Sequence, residues 1–435
     1  MRETVIIKKL GINGEGIGYI NRKICFINGA LPDEEVEVEI VEQKPKYYKG
    51  VIKKIIKASP YRMDVICDQD KECLGCSLMH LKYYQHLESK KRWIMDAIIK
   101  YCENVDLRNI KDVEPANNKL NYRCIVRLPI VYFNKKLHVG IYQRDSHYLT
   151  LMQDCKIQSE CINDTLKKIL VILNNHKLRD FHDKFKTGLR FIEMREVDNK
   201  VAVVIICGKD GIDSKVLEEI GQIDSIVSVH YSVNTSKHQD FKLQGYTKAY
   251  GYSSLSYHLL GQKYISSMKA DFPLNMEMEE KKIEIIRSLI ESDKKILSLN
   301  CGIGALELSL TNEITAIDEN KDNIHDAKEN MKFLKKNHVE WINGDVNKEV
   351  VKYCKKNNYD MMIVNAKERG LSQGIKDSLM KSKIKEFIYI TPHYSTMAKE
   401  INELSSYFKV EKIIPIDYEP YTSEVLSIMK MKRIR

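Results

Sequence analysis

The amino-acid sequence predicts a multi-domain protein in three parts: an N-terminal β barrel, a central α+β domain and a C-terminal doubly wound α/β domain. Three observations carry this expectation. Short strand-like runs separated by turn signals fill the first 58 residues. Cys67, Cys73 and Cys76 then form a tight C-x5-C-x2-C run, with Cys155 far downstream. From about residue 252, helical and strand-like segments alternate around the loop Cys301-Gly302-Ile303-Gly304. A chain of 435 residues also exceeds what one small core organises.

Residues 1–58 read as the barrel. Val5-Ile6-Ile7, Lys23 to Ile27 and Val36 to Ile40 are short apolar or alternating runs, and Gly14 to Gly18, Asn28-Gly29 and Leu31-Pro32-Asp33 punctuate them. Lys44, Lys46, Tyr47 and Lys49 follow, then Lys53, Lys54 and Lys57. Cations interleaved with aromatic rings suit phosphate contact and base stacking, and a solvated barrel edge would carry the same residues. The formal charge of +10 favours a polyanionic partner, although lysine is abundant throughout.

Residues 59–250 form the central part. Leu78 to Cys102 reads as a helix, with Leu81, Tyr84, Leu87, Ile94 and Ile98 at helical spacing. Cys124 to Tyr132, Leu137 to Tyr142, Leu189 to Glu193, Val201 to Cys207 and Ile226 to Tyr231 read as strands. Arg123 and Arg127 are expected on one face of a strand, because side chains alternate with period two. With Arg144 and His147 they could contact phosphate; paired surface salt bridges are the competing reading. No run of roughly 18 apolar residues offers a membrane helix, and the first residues lack the apolar core of a signal peptide. A cytoplasmic location is therefore expected, where eleven cysteines are thiols or metal ligands rather than disulfides. Three clustered thiolates plus a distant one could complete the four-cysteine ligand set of an iron–sulfur cluster or a structural zinc.

Residues 251–435 read as the α/β domain. A helix over Glu279 to Leu289 precedes a strand over Ile296 to Leu299. Further strands are expected at Ile314 to Ile317, Val339 to Ile342, Met361 to Val364, Phe387 to Ile390 and Val425 to Met429, with a helix over Lys321 to Lys335. Gly302 and Gly304 let the backbone approach a cofactor at a strand's carboxyl end. Asp318 ends the next strand, where a carboxylate can accept ribose hydroxyls, and Asp345 follows the third, where it could meet an adenine amine. Acids at successive strand ends after such a loop form the ordered pattern of S-adenosylmethionine (SAM) sites.

Taken together, these segments resemble the RNA uracil-C5 methyltransferase family across essentially the whole chain. The stretch GEGIGYINRKICFINGALPDEEVEVEI resembles its TRAM domain, an OB-like barrel. CDQDKECLGCSLMHLKYYQHLESKK resembles its iron–sulfur segment, GIYQRDSHYLTLMQDC supplies the last ligand, and ILSLNCGIGALELSL resembles its cofactor loop. The resemblance implies a Rossmann-like class I methyltransferase domain and a structural [4Fe–4S] cluster on Cys67, Cys73, Cys76 and Cys155, with zinc as the alternative. It further implies SAM at Gly302, Gly304, Asp318 and Asp345, and structured RNA, ribosomal or transfer, as partner. Neither DNA nor a membrane is expected.

The catalytic positions depart from the family. Uracil C5 methylation needs a thiolate to add at C6 and a base to remove the C5 proton. The family's nucleophile position holds Pro392, its base position holds Leu426, and its Asp-Pro-Pro-Arg motif begins with Asn365. Ser298 stands where the family carries an aspartate on the cofactor strand, and Tyr257 to Gly261 replaces another family segment. The expected function is an RNA-binding relative that is degenerate for 5-methyluridine formation. The alternative is an active rRNA or tRNA methyltransferase, using substitute residues or a different target atom. A redox or regulatory sensor is the third reading.

Overall fold

The structure is a computed structural model and describes residues 2–73, 75–142, 149–236, 245–356, 358–366 and 370–434. By contact density the chain forms two compact units. The first comprises residues 1–117 and 391–429, and the second comprises 118–390 and 430–435.

The first unit opens with strands β1 (Arg2–Ile6), β2 (Lys9–Leu10), β3 (Gly16–Ile20), β4 (Lys23–Ile27), β5 (Glu35–Gln43) and β6 (Tyr47–Lys57) in one sheet of order β1-β5-β6-β4-β3-β2. Alternation along β5 sends Val36 and Val38 inward, where they meet Val5, Ile7, Ile20, Cys25 and Ile27. The sheet curls until β1 meets β3. The Lys8 amide donates to the Ile17 carbonyl at 2.8 Å, and a Cβ on Gly18 would lie 2.2 Å from Val5. Only glycine permits that approach.

Beyond the barrel, the helix Tyr83–Tyr101 buries His86, Lys90, Trp93, Ile94, Ala97 and Ile98. Residues 78–82, expected within this helix, are instead a turn: Leu81 bridges Arg62, and the helix starts after Lys82. Lys90 is wholly buried and donates to Asp417 Oδ1 at 2.5 Å, while the Tyr83 hydroxyl donates to Oδ2 at 2.7 Å. Burial raises the Asp417 carboxyl, but Lys90, His86 and Tyr83 together outweigh it and hold it below the usual carboxylate range. This pair ties the helix to the segment that follows strand β21 (Phe408–Ile416) and leads into β22 (Leu426–Arg433).

The second unit begins with the central sheet, in the order β13-β12-β11-β10-β7-β8-β9. Its strands are β7 (Ile125–Phe133), β8 (Lys136–Tyr142), β9 (Leu149–Met152), β10 (Leu189–Val197), β11 (Lys200–Cys207), β12 (Ile226–Val233) and β13 (Thr247–Gly251). Helices Glu160–Asn175 and Ser214–Gly221, absent from the expected elements, cover one face with Ile162, Leu166, Ile169, Val216 and Leu217. On another side of this sheet Arg195 is buried and donates to the Ser267 and Met268 carbonyls at 3.2 and 2.8 Å, just past the hairpin β14 (Ser254–Leu259) and β15 (Gln262–Ser267).

The doubly wound sheet follows: β16 (Ile296–Leu299), β17 (Ile314–Asp318), β18 (Val339–Asn343), β19 (Met361–Asn365) and β20 (Glu386–Thr391). Their order is β18-β17-β16-β19-β20, every neighbouring pair is parallel, and the end of β22 lies next to β20. Strands β16, β17, β19 and β20 are buried along nearly their whole length, as a parallel sheet covered on both faces requires, while β18 at the edge buries only Val339 and Trp341. The order reverses between β16 and β19, and ligands of such sheets bind at that switch point.

Replacing Lys90 with Met would strand the Asp417 carboxylate without its cation. The expected loss is about 3–5 kcal/mol, read from the urea midpoint. A loss under about 1 kcal/mol would mean the pair does not anchor this unit.

Candidate cofactor and RNA sites

The carboxyl ends of β16, β17, β18 and β19 converge on one constellation. After β16 the backbone turns through Asn300, Gly302 and Gly304 at φ of 56°, 59° and 81° before the short helix Ala305–Ser309. A left-handed Asn inside such a loop is a strained position of the kind that collects at functional sites. Gly304 has a steric reason: a Cβ there would lie 2.2 Å from the Trp341 ring. At Gly302 a Cβ would meet nothing within 4 Å, so the loop presents an open cradle.

Asp318 fixes that cradle. It is fully buried, and its Oδ2 accepts the Gly302 amide at 3.0 Å. Its Oδ1 accepts the Asn320 amide at 2.8 Å and Asn323 Nδ2 at 3.2 Å. Most of the capacity expected for ribose hydroxyls is therefore already spent on the loop. Asn343 Nδ2 donates to the Asp318 carbonyl at 3.1 Å, and Asn300 Nδ2 donates to the Asn365 carbonyl at 3.0 Å. Asp345 is exposed, and its Oδ1 accepts the Asn347 amide at 2.9 Å in the first turn of helix Val346–Lys356. The structure thus brings Gly302, Gly304 and Asp318 together at the switch point, with Asn365 on the facing strand. Lys367 and Glu368, next in the motif begun by Asn365, lie outside the described residues.

One member of this region escaped the sequence. Ser298 Oγ donates to Glu307 Oε1 at 2.6 Å, and Glu307 Oε2 is buried and accepts no hydrogen bond from the described residues. Burial pushes the Glu307 carboxyl up to about 7. A lone acid between Leu306 and Leu308 was the available signal.

The other family positions lie in the first unit. Pro392 is half-buried and directly follows β20, and His393 precedes the helix Tyr394–Leu404. His393 Nε2 is buried and has no hydrogen-bond partner among the described residues. Leu426 is half-buried at the start of β22. Pro392 offers no thiol, and Leu426 offers no base.

For the cysteines, all eleven are thiols without disulfide partners. Cys67, Cys73 and Cys76 are half-buried in the first unit, and Cys155 is half-buried in the second. Thiolate chemistry suits a cluster, yet no three Cys, His, Asp or Glu side chains among the described residues are gathered closely enough to hold a metal ion.

The expected RNA contacts divide similarly. Lys44 and Lys46 are exposed at the turn before β6, where Glu42 takes part of the charge: Lys44 lies 3.5 Å and Lys49 2.9 Å from its carboxylate. Tyr47 packs edge-on against Phe26 at 5.6 Å, and the Lys23 ammonium sits 4.1 Å above the Tyr48 ring. Arg127 is exposed but ion-paired with buried Glu193, which Arg195 also holds at 2.9 Å. Arg123 falls before β7, bridging Gln158, so the two arginines do not share one strand. Arg144 and His147 lie outside the described residues.

A methyltransferase-type α/β fold carried behind a barrel is the class these features define, and comparison with known proteins narrows it. Residues 2–53 match the TRAM domain. An uncharacterized RNA methyltransferase of Bacillus cereus is 29% identical, covering 99% of this chain and 96% of that protein. One of Streptococcus agalactiae is 26% identical, covering 98% and 97%. The crystal structure of Pyrococcus abyssi tRNA (uracil-54, C5)-methyltransferase with S-adenosyl-L-homocysteine superposes with a TM-score of 0.78 at 20% identity, covering 98% of this chain and 99% of that one. The chain therefore carries a TRAM domain, is similar in sequence to proteins named RNA methyltransferases, and shares the fold of that solved structure over 98% of its length. No helix among the described residues is long and apolar enough to cross a membrane.

Glu307 makes a stability prediction. Its folded-state value is raised above the ordinary 4.5, so the fold binds an extra proton between about pH 4.5 and 7 and loses stability as pH rises through that window. Glu307→Gln removes the cost: melting at about pH 8 should show a gain of roughly 2–3 kcal/mol, vanishing near pH 4. An equal effect at both pH values would contradict the assignment.

Proposed function

We propose that this chain is a SAM-binding, RNA-binding protein that does not form 5-methyluridine by thiolate addition. The observation that carries the reading is the contrast between two sets of residues. The loop, its Asp318 anchor and the switch-point geometry are present, whereas Pro392 and Leu426 stand at the positions that the sequence resemblance assigns to nucleophile and base. Without a thiolate, C5 of uracil is not activated, and loss of a general base alone costs roughly 10²- to 10⁴-fold.

The residues present fit SAM. Gly302 offers open room in a loop that Asp318 holds through the Gly302 amide, and Asn300 and Asn365 tie the neighbouring strand to that loop. When bound, the cofactor supplies an electrophilic methyl group. The chain's own contribution is orientation: positions fixed before binding spare ordering entropy at the moment of contact. The barrel's Lys44, Lys46, Tyr47 and Lys49, together with Arg123 and Arg127, are the proposed RNA contacts, with rRNA or tRNA as the partner class and the cytoplasm as the expected setting. A [4Fe–4S] cluster on Cys67, Cys73, Cys76 and Cys155 is the proposed structural group.

Two measurements test this. Protein incubated with methyl-labelled SAM and total rRNA and tRNA should bind RNA and leave no label in 5-methyluridine on nucleoside mass spectrometry. Label there contradicts the reading, and label in another nucleoside supports the changed-target alternative. Anaerobically purified protein should carry about four iron and four sulfide per chain, lost on Cys73→Ser; zinc in their place would overturn the cluster.

A further inference from the structure

Ser298 lies within β16, 2% exposed, where an acid would stand directly behind the cofactor loop. The structure returns a carboxylate to the same place from another element. Glu307 belongs to the helix that follows the loop, and helical side chains tilt toward the helix N-terminus, which here is Gly304. Its Oε1 accepts from Ser298 Oγ at 2.6 Å, while its Oε2, sealed from solvent, accepts no hydrogen bond from the described residues. A buried carboxylate with an open oxygen is an unspent acceptor, and native interiors rarely leave one without a reason.

We propose that Glu307 is the acid of this cofactor site, delivered from the helix in place of an acid at Ser298, and that it serves the cationic amino-acid portion of a sulfonium nucleoside. The proposal rests on the reading that the site binds SAM.

The surroundings leave that role open. Lys282, on helix Met276–Ser288, attracts Glu307 from a distance while its ammonium pairs with Glu279 at 2.7 Å. Asp318 at the end of β17 repels it, disfavouring the charged form until a cation arrives. Tyr264 on β15 places its hydroxyl 3.5 Å from the Ala305 carbonyl, and His338 Nε2 lies 3.2 Å from the Glu307 carbonyl, so both engage the helix backbone rather than the acid. Burial makes the acid largely neutral below pH 7 and charged above it. Cation binding to the neutral form therefore expels the Glu307 proton to buffer, leaving a carboxylate opposite the ligand's positive charge.

Calorimetric titration of the full-length protein tests this with SAM and with 5′-methylthioadenosine, which lacks the amino-acid portion and the cation. Wild-type protein should bind SAM several-fold more tightly at about pH 7.5 than at about pH 6, releasing a proton at the lower pH. Glu307→Gln should weaken SAM binding about ten-fold or more at the higher pH and lose that release, while binding 5′-methylthioadenosine as before. The exchange Ser298→Asp with Glu307→Ser should recover most of the SAM affinity, because the acid returns from the strand. Equal SAM binding by wild type and Glu307→Gln would overturn the proposal and leave the cofactor reading standing. So would an exchange variant that binds 5′-methylthioadenosine normally but recovers no SAM affinity. Wild-type protein binding neither ligand would overturn the cofactor reading, and this proposal with it.

Discussion

One buried carboxylate, Asp318, sets the geometry on which the rest of the candidate cofactor site depends. Through Gly302, Asn320 and Asn323 it binds the loop after β16 to the start of the helix Lys321–Phe333, which follows β17. Its own carbonyl holds Asn343 at the end of β18. Three strand ends are thereby fixed at the reversal of strand order, before any ligand arrives. A carboxylate so placed is costly to bury without donors, and two backbone amides and the Asn323 side chain supply them.

Retention and loss then divide cleanly by chemistry. Cradle, anchor and switch point need backbone geometry and one acid, and all three are present. Covalent addition needs a nucleophile, and deprotonation needs a base; Pro392 and Leu426 supply neither. On the proposed reading, nearby polar groups do not repair this. His393 is an imidazole rather than a thiolate, and Cys301 belongs to the loop, where its sulfur lies 3.7 Å from the Gly302 carbonyl. The solved tRNA methyltransferase with the same fold shows how widely the architecture persists at 20% identity, not what this chain does with it.

Much of the architecture was legible because the parallel strands are continuous apolar runs bounded by turn residues. Ile296 to Leu299 was read with its observed limits, and Val201 to Cys207 within one residue. The helix Glu160–Asn175 escaped despite Ile162, Leu166, Ile169 and Leu173 at helical spacing, because its flanks read as strands. Period two misled for Arg123, since the strand starts two residues later. Gly302, Gly304 and Asp318 were legible because local chain order places them. Glu307 was not: its meeting with Ser298 comes from a nine-residue fold-back, which no local pattern encodes.

On the proposed reading, no electron-rich donor of this chain adds to the uracil ring, and covalent trapping decides the matter. Transcripts carrying 5-fluorouridine hold the C6 adduct once a methyl group has been transferred, because fluorine cannot leave as a proton does. No covalent protein–RNA species should appear on denaturing gels with SAM present, even where the RNA binds reversibly. A SAM-dependent adduct that survives denaturation would contradict that reading, and the peptide bearing the label would name the residue overlooked.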